Sequence, residues 1–255
     1  MERRSVTRLF AFMAIPIRVG TAGWSLPRDV QDRFPADGTH LTRYATRLSA
    51  AEINSSFHRP HRRAIYERWA ASVGQDFRFA VKLAKAITHE RRLVDVGEPL
   101  RRFADEISGL GYKLGPILVQ LRPSLGFEPA VAEAFFRALR LAIPVQAVIE
   151  PRHPDWFTPA ADDLLVAHRI ARVAADPSPV AHAAMTGGWR GFSYFRLHGS
   201  PHIYRSDYDA AAIEAYARSA IDAAATSETW VIFDNTARGA ATGNALALSD
   251  RVGAG

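Results

Sequence analysis

No cysteine occurs among the 255 residues. Disulfides, thiol nucleophiles and thiolate metal sites are therefore excluded, and any metal would need His, Asp or Glu ligands. Lysine is nearly as scarce, since Lys82, Lys85 and Lys113 are the only ones in a set of 32 basic residues. The arginine excess reads as codon bias rather than a phosphate clamp, because no arginine run is long enough to form a nucleic-acid-binding tail. No stretch approaches the roughly 18 apolar residues of a membrane span. The chain also has no repeat of fixed period and no Pro/Gly-rich linker. Finally, GTAGWSLP at 20–27 does not supply the Gly-rich phosphate turn of a dinucleotide-binding open sheet.

What remains is an ordinary globular balance, 48% hydrophobic and 23% charged, with a net charge of +6 that favours anionic partners. The opening MERRSVTRLFAFMAIPIR has a basic start and a short apolar run. It lacks a small-residue cleavage site, and the run feeds into the first core strand. Residues 1–16 are accordingly expected to form a loose leader on a cytoplasmic protein, with Met13 as an alternative start, and 17–255 to form one domain.

Short apolar, β-branched runs recur at 17–22, 51–55, 78–84, 116–121, 145–150, 170–175, 192–198 and 230–234. Amphipathic stretches of helical period alternate with them at 41–49, 61–72, 98–110, 129–141, 159–168, 208–224 and 240–249. Glu128-Pro129 and Thr158-Pro159 place proline in a first helical turn, which has no use for its missing donor. After Asp176 the segment PSPVAHAAMTGGWRG is too rich in Pro and Gly for a regular helix. The expected fold is α/β, a single TIM-type (β/α)8 barrel whose sixth helix is irregular or missing, with its site at the C-terminal ends of the strands.

Residues two apart on a strand face the same way. Glu52 and Asn54, Glu150 and Arg152, and the series Tyr194, Arg196 and His198 thus share the inner face, joined by Lys82, Gln120 and Asp234. A buried charge without a partner is costly, so Glu52, Glu150 and Asp234 are expected to pair with Lys82, Arg152 and Arg196. Gly23-Trp24, Phe57-His58 and the HPDW segment ending at Trp156 follow strands one, two and five and are candidates for the rim. Asn235 follows strand eight, and the small residues after it lead into the last helix, where backbone N–H groups with Arg196 and Arg238 would form a phosphate site.

The segments VGTAGW, EINSSFHRP, FRFAVKLAKAITH, ILVQLRP, IEPRHPDWF, YFRLHG and IFDNTARGAATGNAL, in this order, resemble the DUF72 (YecE-like) family over nearly the whole chain. The resemblance implies a TIM-barrel fold and brings no settled activity. It marks Gly23, Trp24, Glu52, Asn54, Phe57, Lys82, Gln120, Glu150, Arg152, Trp156, Arg196, His198, Gly199, Asn235 and Asn244. This chain departs from the family pattern at His58, where Tyr is common, and at Asp234, where many relatives have Asn. Both changes add a group able to bind metal or act as a base.

The expected function is an enzyme acting on a small anionic or sugar-like molecule by general acid/base chemistry, hydrolysis and isomerisation both being open. Glu52, Glu150, Lys82 and His198 are its catalytic candidates. Trp24, Asn54, His58, Gln120, Arg152, Trp156, Arg196, Asp234 and Asn235 are its binding candidates, and no cofactor or metal is expected. A Schiff base through Lys82 is a minor variant. One alternative is a metal-dependent, nucleic-acid-processing barrel using Glu52, Glu150, His198 and Asp234, which Lys82, Arg152 and Arg196 oppose. The other is a barrel that binds a metabolite without transforming it.

Overall fold

The structure is a computed structural model and describes residues 16–253. The leader expected at 1–16 lies outside the described residues except for Pro16. Ten strands, β1 (Ile17–Ala22), β2 (Ala50–Ile53), β3 (Arg78–Lys82), β4 (Leu114–Gln120), β5 (Ala147–Glu150), β6 (Ala171–Arg172), β7 (Ala174–Asp176), β8 (Gly187–Gly188), β9 (Phe192–Leu197) and β10 (Glu228–Phe233), form one sheet. Its order is β7-β9-β10-β1-β2-β3-β4-β5-β6-β8, and every pairing is parallel except that of β8 with β6.

β6 and β7 are two halves of one chain segment. The first half pairs with β5 and the second with β9, while the Val173 N–H between them donates to Ile149 O. The sheet therefore curls into a nearly closed barrel, and Val173 marks where the segment changes neighbours.

Outside it lie α1 (His40–Tyr44), α2 (Arg63–Ala71), α3 (Gly97–Ile107), α4 (Pro129–Ala142), α5 (Pro159–Ala167), α6 (Ala210–Ala224) and α7 (Ala240–Val252). Their starts follow local chemistry. The Thr158 hydroxyl accepts from Ala161 N and the Asp209 carboxylate from Ala212 N, satisfying donors the first turn leaves free. Between β7 and β9 the one helical element among the described residues is a 3-10 turn, Ala181–Ala184, as the Pro/Gly content of that segment predicts. Among the described residues no helix is long and apolar enough to cross a membrane.

Two corrections concern strand ends. The second strand stops at Ile53, because Asn54 takes helical angles and starts a 3-10 turn, Ser55–Phe57. The third stops at Lys82, after which a π-helical turn, Ala86–Glu90, carries the chain over the barrel mouth.

The interior is layered. A buried cluster inside the barrel contains Ala50, Ala80, Leu118, Val148, Phe192, Tyr194, Trp230 and Ile232. Gly115 makes room for it, since a Cβ there would stand 2.7 Å from the Trp230 ring. One pleat further along the strands, at the same inward parity, come Glu52, Lys82, Gln120, Glu150, Arg196 and Asp234. An apolar plug thus sits beneath a polar layer, and the polar layer faces the C-terminal mouth.

Candidate active site

Arg196 is the hub of the polar layer and has no exposed surface. Its Nε and Nη2 donate to Glu52, with Nη2 2.8 Å from Oε1; Nη1 donates to Glu150 Oε2 at 3.1 Å, and Nη2 lies 3.0 Å from Asp234 Oδ2. Burial opposes the charge on this guanidinium, but Asp234, Glu52 and Glu150 outweigh it and hold the pKa well above the ordinary value. Tyr194 completes the floor. Its ring stacks on Trp230 in the apolar plug, and its hydroxyl donates to Glu52 Oε2 at 2.8 Å.

His198 closes the upper side of the layer. Its Nδ1 is 2.9 Å from Asp234 Oδ2 and its Nε2 is 3.0 Å from Glu150 Oε1. An ionised carboxylate only accepts hydrogen bonds, so the ring satisfies both partners only when it carries two protons. Burial would discharge it, yet Glu150 and Asp234 raise its pKa. Its Nε2 also lies 3.5 Å from Arg196 Nη1, a contact between two donors that the flanking carboxylates screen.

Glu150 is the most heavily subscribed acceptor. Besides Arg196 and His198 it receives Gln120 Nε2 at 2.9 Å and Arg152 Nη2 at 3.1 Å. Burial pushes this carboxyl up, but Arg196, His198 and Arg152 outweigh it and hold it well below the usual carboxylate range. Asp234 is lowered in the same way, with Arg196 and His198 overcoming burial. These groups form a coupled set whose protons belong to the cluster.

The expected pairing of Lys82 with a carboxylate does not form. Three carboxylates, Glu52, Glu150 and Asp234, are matched by three cations, Arg196, Arg152 and His198. His198 takes the place foreseen for lysine. Among the described residues Lys82 Nζ has no carboxylate within ion-pair distance; it stands 4.2 Å over the Phe57 ring. Burial and then Arg196 push this amine down to about 8, against the pull of the carboxylates.

His89, on the π-helical turn, packs edge-on against Phe57 at 4.9 Å. Burial lowers its pKa, and the nearby charges of Lys82, Arg122, Arg152 and Lys85 lower it further. The mouth therefore carries surplus positive charge. Beside it a cavity of about 260 Å³ is lined by Glu150, Arg152 and His198 together with Pro123, Pro177 and Ile203.

The sequence-derived candidates divide. Glu52, Lys82, Gln120, Glu150, Arg152, Arg196, His198 and Asp234 are brought together as expected. Trp156 is not at the rim: it is 1% exposed, its indole N–H donates to Leu125 O, and Phe127 and Phe136 pack against it. Asn235 is also buried, with Nδ2 on Ser206 O and Asn244 Oδ1, so it ties the β10 exit to α7.

Trp24 packs edge-on against Trp69 and lines a neighbouring groove with Asn54, whose Oδ1 is buried without a partner among the described residues. His58 is exposed and borders a separate cavity of about 490 Å³ between Phe57 and α3. The phosphate site expected from Arg196 and Arg238 does not assemble, because Arg196 is sealed in the floor while Arg238 lines an outer hollow with His202 and Arg205.

Sequence reading missed His89 and Tyr204. Tyr204 holds a left-handed backbone, φ 67°, and sets its ring edge-on to His198 at 5.7 Å. Neither residue lies on a strand, so alternation gives no hint of them.

The family model described as protein of unknown function DUF72 matches residues 18–255. UPF0759 protein YecE of Escherichia coli strain K12 is 27% identical over 174 residues, which cover 66% of this chain and 61% of that protein's own length. Among solved structures, a DUF72 family protein from Enterococcus faecalis V583 aligns with a TM-score of 0.78 at 20% identity, covering 93% of this chain and 96% of that one. A DUF72 family protein from Thermotoga maritima gives 0.76 at 22% identity, covering 93% and 99%. A sugar phosphate isomerase/epimerase from Parabacteroides distasonis gives 0.53 at 10% identity, covering 95% and 96%, a likeness of fold alone. With a family model that spans all but its first 17 residues, the chain belongs to the DUF72 family.

Proposed function

We propose that the protein is an enzyme acting on a small anionic or sugar-like substrate by general acid/base chemistry at the C-terminal mouth of the barrel. The observation that carries this reading is the surplus cation. Each of Glu52, Glu150 and Asp234 already has its positive partner, whereas Lys82 has none among the described residues, and an anionic substrate would supply the missing charge.

The geometry favours a division of labour. Glu52 lies sealed under Arg196 and Tyr194, out of reach of a substrate, and Glu150 is saturated with donors and held ionised, so it serves as fixed charge. Proton transfer is most effective from groups titrating near the working pH. His198, kept cationic, is then the acid, and Lys82, at about 8, the base. Arg152, partly exposed at the cavity wall, holds the anionic end. The metal-dependent alternative fits less well, because Arg196 and His198 occupy the spaces between carboxylates that a divalent ion would need.

Isothermal calorimetry with inorganic phosphate, glycolate and neutral glycerol tests the binding part, followed by NMR observation of phosphorylated sugars and sugar acids for turnover. Anions binding while glycerol does not, with affinity lost in Lys82→Met and Arg152→Met, is the expected result. Equal binding of glycerol, or anion affinity unchanged in both variants, would sink the reading.

A further inference from the structure

The three lysines differ in what their amines touch. Lys113 Nζ donates to Ala70 O at 2.7 Å and to Val73 O, and Lys85 Nζ lies 3.4 Å from Glu90 Oε1. Lys82 alone, among the described residues, has no oxygen partner. Its contact is the face of Phe57, which steadies the side chain through the ring quadrupole and leaves the nitrogen free of any acceptor.

The seat is fixed from both sides. The buried hydroxyl of Ser56 bridges Ile53 O at 2.9 Å and Lys82 O at 2.7 Å, tying the end of β3 to the turn that carries Phe57. Lys82 is 6% exposed, on the same inner face as the His198 imidazolium. A desolvated amine, held in place and without an acceptor among the described residues, has the features of a nucleophilic lysine rather than of a structural one.

We propose that Lys82 captures the carbonyl group of a small anionic aldehyde or keto acid as an imine, Arg152 holding the anionic end. This rests on the reading of the mouth as an anion site and names the substrate class. The Lys82 lone pair forms the C–N bond as the carbonyl π bond breaks onto oxygen. One amine proton and one proton from His198 leave with that oxygen as water, and the product is a protonated imine. The step is redox-neutral and is reversed by hydrolysis. Across the imine, electrons can be withdrawn from the adjacent carbon, which is the chemistry that isomerisation or C–C cleavage of such substrates requires.

The test uses glyoxylate with sodium cyanoborohydride at neutral pH, which fixes an imine as carboxymethyl-lysine, and peptide mapping of the three lysines. The expected result is labelling of Lys82 about tenfold faster than of Lys85, since a higher neutral fraction outweighs the weaker nucleophilicity of a less basic amine. Lys82→Arg should remove that label only, and glycolate should slow it. Equal labelling of Lys82 and Lys85 would overturn the proposal. Glycolate binding measured separately by calorimetry distinguishes the failures. If glycolate binds in an Arg152-dependent way but Lys82 is not labelled, the imine is wrong and the anion site stands; if neither is seen, both fall.

Discussion

Arg196 and Glu52 meet across the barrel interior at 2.8 Å, although β10 and β1 separate their strands in the sheet. The contact is a strut between opposite walls. Removing one partner of a buried ion pair leaves the other charge uncompensated, at a cost of about 3–5 kcal/mol. Arg196→Met strands two carboxylates besides Glu52 and is expected to fall in or above that range in urea unfolding. A loss below about 1 kcal/mol would show that the strut contributes little.

Stability should also depend on pH through His198. Its folded pKa is raised, so its contribution is complete below the ordinary imidazole range and is lost as pH climbs through the raised folded value. Glu150 and Asp234 are lowered, so theirs is complete above the ordinary carboxylate range and is lost as pH falls through the depressed values. Thermal denaturation against pH should show a plateau with two limbs, and His198→Asn should flatten the alkaline one. An alkaline limb unaltered in that variant would contradict the bridging role.

Lys82 acts in the opposite sense. Its amine is lowered from 10.5 to about 8, so folding penalises the charged form below about pH 8, and the penalty disappears as pH rises from there to 10.5. Lys82→Met is therefore expected to be more stable than wild type at pH 7 by roughly 2–3 kcal/mol, with the gap closing over that window. A variant less stable than wild type at pH 7 would mean that the ammonium has a partner after all.

Arg152 and Arg238 separate two places where an anion could bind. Arg152→Met should weaken glycolate binding roughly tenfold, about 1.4 kcal/mol, whereas Arg238→Met should leave it unchanged. The reverse pattern in calorimetry would move the site to the outer hollow near α7.

For Trp156 the expectation is structural. Trp156→Phe loses the hydrogen bond to Leu125 O and leaves a void beside Phe136, costing about 1–3 kcal/mol without altering the affinity for glycolate. A shift in that affinity at unchanged stability would return the residue to the rim.

The inner-face residues were legible because strand alternation is a rule of parity. Glu52, Glu150, Arg196 and Asp234 follow from counting by two along apolar runs. Which charges pair is not a matter of parity, since it depends on reach across the lumen, and this is why His198 rather than Lys82 matches the third carboxylate. Trp156 misled because HPDW resembles a rim loop, while the folded-back 3-10 turn, Pro154–Phe157, drives the indole inward. His89 and Tyr204 were invisible for a related reason: a π-helical turn and a left-handed residue place them, and neither has a spacing that sequence periodicity reveals.

The charges fall into two tiers, a lower set in which Arg196, Arg152 and His198 match Glu52, Glu150 and Asp234, and an upper set at Lys82 and His89. Because the lower tier is electrically complete without the upper one, rim residues can be exchanged without unsettling the barrel. Such a molecule is a scaffold on which descendants or designers could swap substrate preference at His89 or His58 in single steps, each step remaining folded while the new specificity is tried.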